Sequence, residues 1–308
     1  MKLTMPIRFA SEEEKRAFVT ACEEDFASRL RAVAQALYER EDVRIIGLCG
    51  PSCAGKTTAA QRLSDYFWKH GRRVHTVSID DFYFDKEILH RNAERNGDGQ
   101  IDYDSPDTID LDTLRDFVSG IGQGGLLRCP HFDFAAGKRS AWREIPCEKG
   151  DVFLFEGIQV LYPAVRTLLE PYGFVGVYIA PLRALQVGIG REIDPNTLRL
   201  MRRVVRDAQL RNTAPAFTFY LWQSVRDNEE KNIFPQISRC EYRVDSTFSY
   251  EAGVLKPYLD ALLSQVCGEQ PARLGALLRE IEPISAAYLA EDSLYHEFIP
   301  ANASPFAT

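Results

Sequence analysis

No Cys-x-x-Cys pair occurs among the seven cysteines, at positions 22, 49, 53, 129, 147, 240 and 267. An odd, scattered set builds neither a disulfide frame nor a zinc site, and it reads as reduced thiols in a cytosolic protein. No apolar run approaches the length of a membrane span. The residues up to Phe9 lack the pattern of a signal peptide and lead into the acidic Ser11-Glu12-Glu13-Glu14. The expected localisation is therefore cytoplasmic. An excess of positive charge is also missing: the net charge of −7 argues against a general binder of nucleic acid or anionic membrane. There is no internal repeat, no low-complexity tract and no Asn-Lys-x-Asp segment of a guanine-specific switch. Hydrophobic residues at 45% and charged residues at 26% are ordinary for a soluble globular protein, and 308 residues suit one large domain or two small ones.

What is present centres on Gly50-Pro51-Ser52-Cys53-Ala54-Gly55-Lys56-Thr57-Thr58. The apolar run 45–48 before it predicts a buried parallel strand, and residues 58–63 continue as a helix. In this Gly-x-x-x-x-Gly-Lys-Thr arrangement the glycines let the backbone curl, so that consecutive N–H groups face phosphate oxygens. The helix start adds the positive end of its dipole. Gly50, Ser52, Cys53, Ala54, Gly55, Lys56, Thr57 and Thr58 are thus the expected triphosphate-binding set. Lys56 reaches the terminal phosphates, and the Thr57 hydroxyl holds Mg²⁺.

Further strands are predicted at 73–79, 151–157, 174–179 and 242–245, and helices at 11–41, 111–118, 195–211, 217–225, 250–266 and 274–281. Ser11 with Glu14 forms a capping box for the first helix, whose stripe of Phe18, Cys22, Phe26, Leu30, Val33 and Leu37 is expected to pack on the core. The second strand ends in Asp80-Asp81-Phe82-Tyr83 and the third in Glu156, and carboxylates at strand exits of an open α/β sheet are placed for chemistry. Thr57, Glu156 and Asp80 are the candidate Mg²⁺ groups. Residues 85–108 read as a mobile loop. Segments 126–134 and 141–145 read as a β-hairpin standing off the sheet. Helix 195–211 carries Arg199, Arg202, Arg203 and Arg206 largely on one side and reads as a lid, with Arg206 and Arg211 the likeliest to reach phosphate. The end of the chain, 300–308, reads as a disordered tail.

These segments, in this order, resemble the uridine kinase and phosphoribulokinase branch of the P-loop kinases. The matching pieces are the phosphate loop, Ser78-Ile79-Asp80-Asp81-Phe82-Tyr83, Tyr103-Asp104-Ser105-Pro106-Asp107, Pro130-x-Phe132-Asp133-Phe134, Phe155-Glu156-Gly157-Ile158 and Arg202-Arg203-Val204-Val205-Arg206-Asp207. The resemblance implies a doubly wound, mostly parallel α/β sheet with helices on both faces, a small β-hairpin substrate lobe and a helical lid. It implies ATP and Mg²⁺ as cofactors and transfer of the γ-phosphoryl to a hydroxyl, by analogy the 5′-hydroxyl of a nucleoside. Asp80 then matches the general base, Asp104 the acid that contacts the sugar, Tyr83 a substrate-pocket residue, Glu156 a magnesium-side carboxylate, and Arg206 and Arg211 the lid arginines. The chain departs from the pattern where Phe132 replaces a tyrosine and Gly137 a pyrimidine-reading histidine.

The expected division is an N-terminal helical arm (1–42), a kinase domain (43–268, lid about 195–213) and a C-terminal helical extension (269–308). The expected partners are a small-molecule substrate and, as an option, a second copy of the chain, with neither nucleic acid nor membrane. Other acceptors stay open, among them a sugar phosphate read by Lys138 and Arg139, or a vitamin precursor. Further alternatives are a nucleotide-dependent switch or motor and a binding-only pseudo-kinase.

Overall fold

The computed structural model describes residues 2–92 and 105–300. In chain order it begins with β1 (Leu3–Met5), α1 (Glu12–Tyr38), β2 (Ile45–Cys49), α2 (Lys56–Lys69), β3 (Val74–Ser78), α3 (Lys86–Asn92) and α4 (Leu111–Gln123). Next come β4 (Gly125–Asp133), β5 (Lys138–Cys147), β6 (Val152–Glu156), α5 (Pro163–Leu169), β7 (Phe174–Ala180), β8 (Leu185–Val187) and β9 (Glu192–Ile193). The chain continues through α6 (Pro195–Arg211), α7 (Pro215–Asn228), β10 (Tyr242–Asp245), α8 (Glu251–Leu263) and α9 (Glu269–Leu278).

The main sheet has five parallel strands in the order β10-β7-β2-β6-β3. Because side chains alternate along a strand, buried strands feed two cores. Ile46, Leu48, Val152, Leu154, Val175 and Val177 join Phe26, Leu63, Phe67, Met201 and Leu255 on the face covered by α1, α2, α6 and α8. Ile45, Cys49, Phe153, Phe155 and Tyr178 meet Leu114, Phe117, Val165 and Leu169 of α4 and α5 on the other. Adjacency of β2, β6 and β3 brings the exits of these three strands side by side.

The α1 capping box forms: Ser11 Oγ accepts the Glu14 N–H at 3.1 Å, and the Glu14 carboxylate takes the Ala10 N–H. Val19, Phe26, Leu30, Ala34 and Leu37 are buried against the sheet, with Phe18, Cys22 and Val33 partly so. Residues 125–147 form the antiparallel hairpin, longer than the sequence suggested.

Several expectations change. Part of the segment read as a loop is α3, while residues 93–104, Asp104 among them, lie outside the described residues, as does 301–308 of the expected tail. A small sheet, β1-β8-β9, had no sequence signal, its strands being two or three residues long. Helix α6 does not turn its arginines to one open face. Arg199 is buried in a bidentate pair with Glu229 at 2.5 and 2.6 Å, and Arg202 is fully buried against Glu251 at 2.8 Å. Beyond α9, residues 284–299 fold back over α1, α2 and α8, and Ile284, Leu294, Tyr295, Phe298 and Ile299 enter the same core as the helix after the phosphate loop.

All seven cysteines are free thiols. Burial pushes Cys49 up to about 12 and Cys22, Cys129 and Cys240 up to about 11. No helix among the described residues is long and apolar enough to cross a membrane.

Candidate active site at the strand exits

The loop between β2 and α2 turns through two positive-φ residues, Cys53 at 60° and Gly55 at 91°. Gly55 is required twice over, because a Cβ there would also lie 2.2 Å from Leu294 Cδ1. Lys56 folds its ammonium back over the loop and donates to the carbonyls of Gly50 at 3.0 Å and Pro51 at 3.1 Å. From behind, Arg199 donates to Ser52 O and Arg202 to Cys53 O, each at 3.3 Å, so the two buried ion pairs of α6 hold the loop's outer carbonyls.

A cavity of about 770 Å³ opens in front of this loop. Ser52, Cys53, Ala54, Gly55, Lys56 and Thr57 form one wall, and Asp80, Glu156, Arg203, Arg206 and Arg211 line it as well. Tyr83, Phe132, Phe134, Gly137 and Lys86 complete it on the hairpin side. Most residues singled out from the sequence thus share one space. Gly50 contributes through its carbonyl, and Thr58 is not on the wall; its N–H is bonded to Glu297 Oε1 at 2.6 Å.

The two adjacent aspartates have separate tasks. Asp80 faces the cavity from the single 3₁₀ turn that follows β3. Asp81 turns the other way, accepting the Phe132 N–H at 3.1 Å and pairing with Arg143 at 3.1 Å and His131 at 3.2 Å, which docks the hairpin on the sheet. Tyr83 presents its ring to the cavity, 5.6 Å from Phe132 and edge-on to it, while its hydroxyl is tied to the buried Gln159 at 3.1 Å. Phe132 and Phe134 are themselves 5.3 Å apart.

Arg139 is a correction. Its guanidinium does not line the cavity but staples the hairpin to the turn after β3, donating to Tyr83 O at 3.1 Å, Phe82 O at 3.3 Å and the Asp110 carboxylate at 2.9 Å. A planar fork with several donors suits such multiple carbonyl capture, and sequence alone does not distinguish that use from ligand binding.

The electrostatics are mixed. Burial raises the Glu156 carboxyl above its ordinary range, although Lys56 and the Ser78 hydroxyl pull it down in part. Burial opposes the charge on Arg206, yet Cys53, Asp207 and Glu297 outweigh it and leave the pKa raised. Asp207 gathers three arginines of α6, with Arg206 at 2.7 Å, Arg203 at 3.4 Å and Arg211 at 3.8 Å. Arg203 also donates to Ser52 Oγ at 3.1 Å, which joins α6 to the loop.

For a magnesium ion the donor set is suitable: the Thr57 hydroxyl and the Asp80 and Glu156 carboxylates are hard oxygen ligands on one cavity wall. Among the described residues no three His, Cys, Asp or Glu side chains converge to hold an ion unaided. Two site residues escaped the sequence reading, Lys86 and Glu297. Lys86 follows the Asp80–Tyr83 turn closely enough for proximity to have suggested it, whereas Glu297 belongs to no motif.

Comparison with known proteins agrees with this arrangement. The model of the phosphoribulokinase / uridine kinase family matches residues 45–249. The uridine kinase of Chlamydia pneumoniae is 29% identical over 165 residues, covering 54% of this chain and 64% of that protein. Uridine-cytidine kinase 2-B of Danio rerio is 28% identical over 169 residues, covering 53% and 57%. Inorganic pyrophosphatase TTM1 of Arabidopsis thaliana is 23% identical over 236 residues, covering 76% of this chain and 32% of that protein. The chain therefore spans between 32% and 64% of the length of these three relatives. Matched by that family model over more than half of its length, the chain belongs to the phosphoribulokinase / uridine kinase family.

Proposed function

We propose that the protein transfers the γ-phosphoryl group of Mg-bound ATP to a hydroxyl of a small molecule, and that a nucleoside 5′-hydroxyl is the first acceptor to test. The observation that carries the reading is that Lys56, Thr57, Asp80, Glu156, Arg206 and Arg211 all line one cavity. In this reading Asp80 takes the acceptor's proton as the new O–P bond forms and the bond from γ-phosphorus to the bridging oxygen breaks. Lys56 and the guanidiniums of Arg206 and Arg211 receive the charge that builds on the phosphoryl and departing oxygens. Thr57 and Glu156 would hold magnesium, which would supply further neutralisation. Mg-ATP supply and unpaired thiols both suit the cytoplasm.

A second acceptor class is favoured by one feature. At Gly137, with φ 65°, a Cβ would lie 2.4 Å from Lys86 Cδ. The positive φ favours glycine there, the Lys86 stem crosses over it, and Lys86 lines the cavity with Tyr83, Phe132 and Phe134 and pairs with no carboxylate among the described residues. In the family pattern a pyrimidine-reading histidine stands in the place of Gly137. An ammonium beside that place suits an acceptor carrying a phosphate or carboxylate.

The test is a panel of nucleosides, sugars, sugar phosphates and hydroxy acids with purified protein and Mg-ATP, scored by ADP release, with Lys56→Ala as control. Acceptor-dependent ADP release lost in Lys56→Ala is expected. Because an Arabidopsis relative is named an inorganic pyrophosphatase, pyrophosphate belongs in the panel. Its hydrolysis without any acceptor-dependent ADP release would replace the kinase reading.

A further inference from the structure

Helix α2 begins with no acidic residue in its first turn and no side chain capping it, since its N-cap is Gly55. The first N–H groups of a helix have no partner within it and carry its positive end. Here the Thr58 N–H, in that first turn, is taken at 2.6 Å by the carboxylate of Glu297, which arrives from 239 residues further along the chain. Glu297 is on the cavity wall together with Lys56 and Thr57. The ordinary explanation is a helix cap supplied from a distance. What distinguishes it is the helix: α2 opens directly from the phosphate loop, so a cap on its first turn and a phosphate compete for the same amides.

The segment that delivers Glu297 is firmly seated. Arg62 of α2 grips Asp292 at its carbonyl, 2.6 Å away, and its carboxylate, 3.1 Å away. Ser293 bonds Glu23, and the Tyr295 hydroxyl bonds Glu251. Tyr295 and Phe298 each lie with their ring 5.4 Å from the Arg202 guanidinium carbon. Leu294 rests against Gly55. Glu297 is therefore held on a short 3₁₀ turn, Leu294–Glu297, whose anchors flank it on both sides. The cavity it enters already contains Glu156, and two carboxylates together with a polyphosphate place like charges in one confined space.

We propose that Glu297 occupies a phosphate seat of the loop as a built-in competitor, and that a nucleotide binds by displacing it and loosening the 294–299 turn. This rests on the reading of the loop as the seat of the triphosphate. The consequence is a gate: the protein without nucleotide is stabilised by a contact that nucleotide must break, so nucleotide affinity is lower than the loop alone would give. A carboxylate at a helix start contributes on a scale that changes an equilibrium by about three- to twenty-fold.

The test is calorimetric titration of Mg-ADP into the wild-type protein, Glu297→Gln, Glu297→Ala and Lys56→Ala, with melting curves taken without nucleotide. The gate predicts that both Glu297 variants bind Mg-ADP about three- to twenty-fold more tightly while melting at a lower temperature. A cap with only a structural role would weaken both properties together. Equal or weaker binding in the Glu297 variants, with binding lost in Lys56→Ala, overturns the gate and leaves the loop reading standing. Unchanged binding in Lys56→Ala removes the loop reading and the gate with it. Amide exchange on the wild-type chain is independent of how the variants fold: the gate predicts faster exchange at 294–299 on adding Mg-ADP, and slower or unchanged exchange contradicts it.

Discussion

The guanidinium of Arg202 donates to the carbonyl oxygen of Cys53 at 3.3 Å, at the left-handed residue of the phosphate loop. The same guanidinium bonds Glu251 at 2.8 Å and Ser246 O at 2.7 Å, so a fully buried ion pair backs the loop. Removing one partner of such a pair strands the other charge in the core. Arg202→Met should cost about 3–5 kcal/mol in urea unfolding. Arg202→Met combined with Glu251→Leu should recover much of that stability while nucleotide binding stays weakened. A double variant as unstable as the single one would show that the loop contact, rather than the stranded charge, dominates.

In the proposed reaction Asp80 accepts the proton, whereas Asp81 ties the hairpin down. Asp80→Asn keeps the side chain's shape but removes the proton acceptor, so kcat should fall by about 10²–10⁴-fold with the KM for ATP little changed. Asp81→Asn should instead loosen the hairpin, because it weakens ties to Arg143 and His131. Steady-state kinetics of the two variants distinguish these outcomes; equal loss of kcat and ATP affinity in Asp80→Asn would make Asp80 structural.

Glu156 carries a stability cost with a defined sign. Burial raises its carboxyl above the ordinary 4.5, so the folded state prefers the protonated form. The cost is therefore absent below the unfolded value and fully present once the pH has risen through the folded one. Glu156→Gln should therefore raise the melting temperature of the nucleotide-free protein by about 1–4 °C at pH 8 and leave it unchanged at pH 4. Activity should fall in the same variant. A melting temperature lowered at pH 8 would contradict the burial argument.

Arg139 should behave as a staple. Arg139→Met is expected to cost about 1–3 kcal/mol of stability and to leave the acceptor KM nearly unchanged. Asp110, its partner, is opposed by burial but held below its ordinary 3.8 by Thr113 and Arg139, a contribution present above that value and lost as the pH falls through the folded pKa. The penalty of the variant should accordingly shrink in acid, as measured by unfolding at pH 7 and near pH 3.

How much was legible in the sequence follows from how local each signal is. The phosphate loop and Glu156 sit at the ends of short apolar runs and Asp80 just past a more mixed strand, where the change from strand to loop is written in neighbouring residues. The pattern of α6 showed a helix, but whether its arginines face water or the core depended on Glu229 and Glu251, tens of residues away. Arg139 was read as a substrate contact and Lys86 was passed over, because a basic residue carries no mark of which carbonyls or which cavity will surround it. Glu297 was invisible for the same reason, since its partner is a backbone amide and such partners have no sequence signature.

The distribution of thiols has a practical consequence. Cys267, at the junction between α8 and α9, is the exposed one of the seven; the others are buried or half-buried, several with thiolate formation suppressed. A brief maleimide treatment should therefore tag native material at that position alone. The fluorophore would then report rotational diffusion, and hence self-association, without engineering the chain.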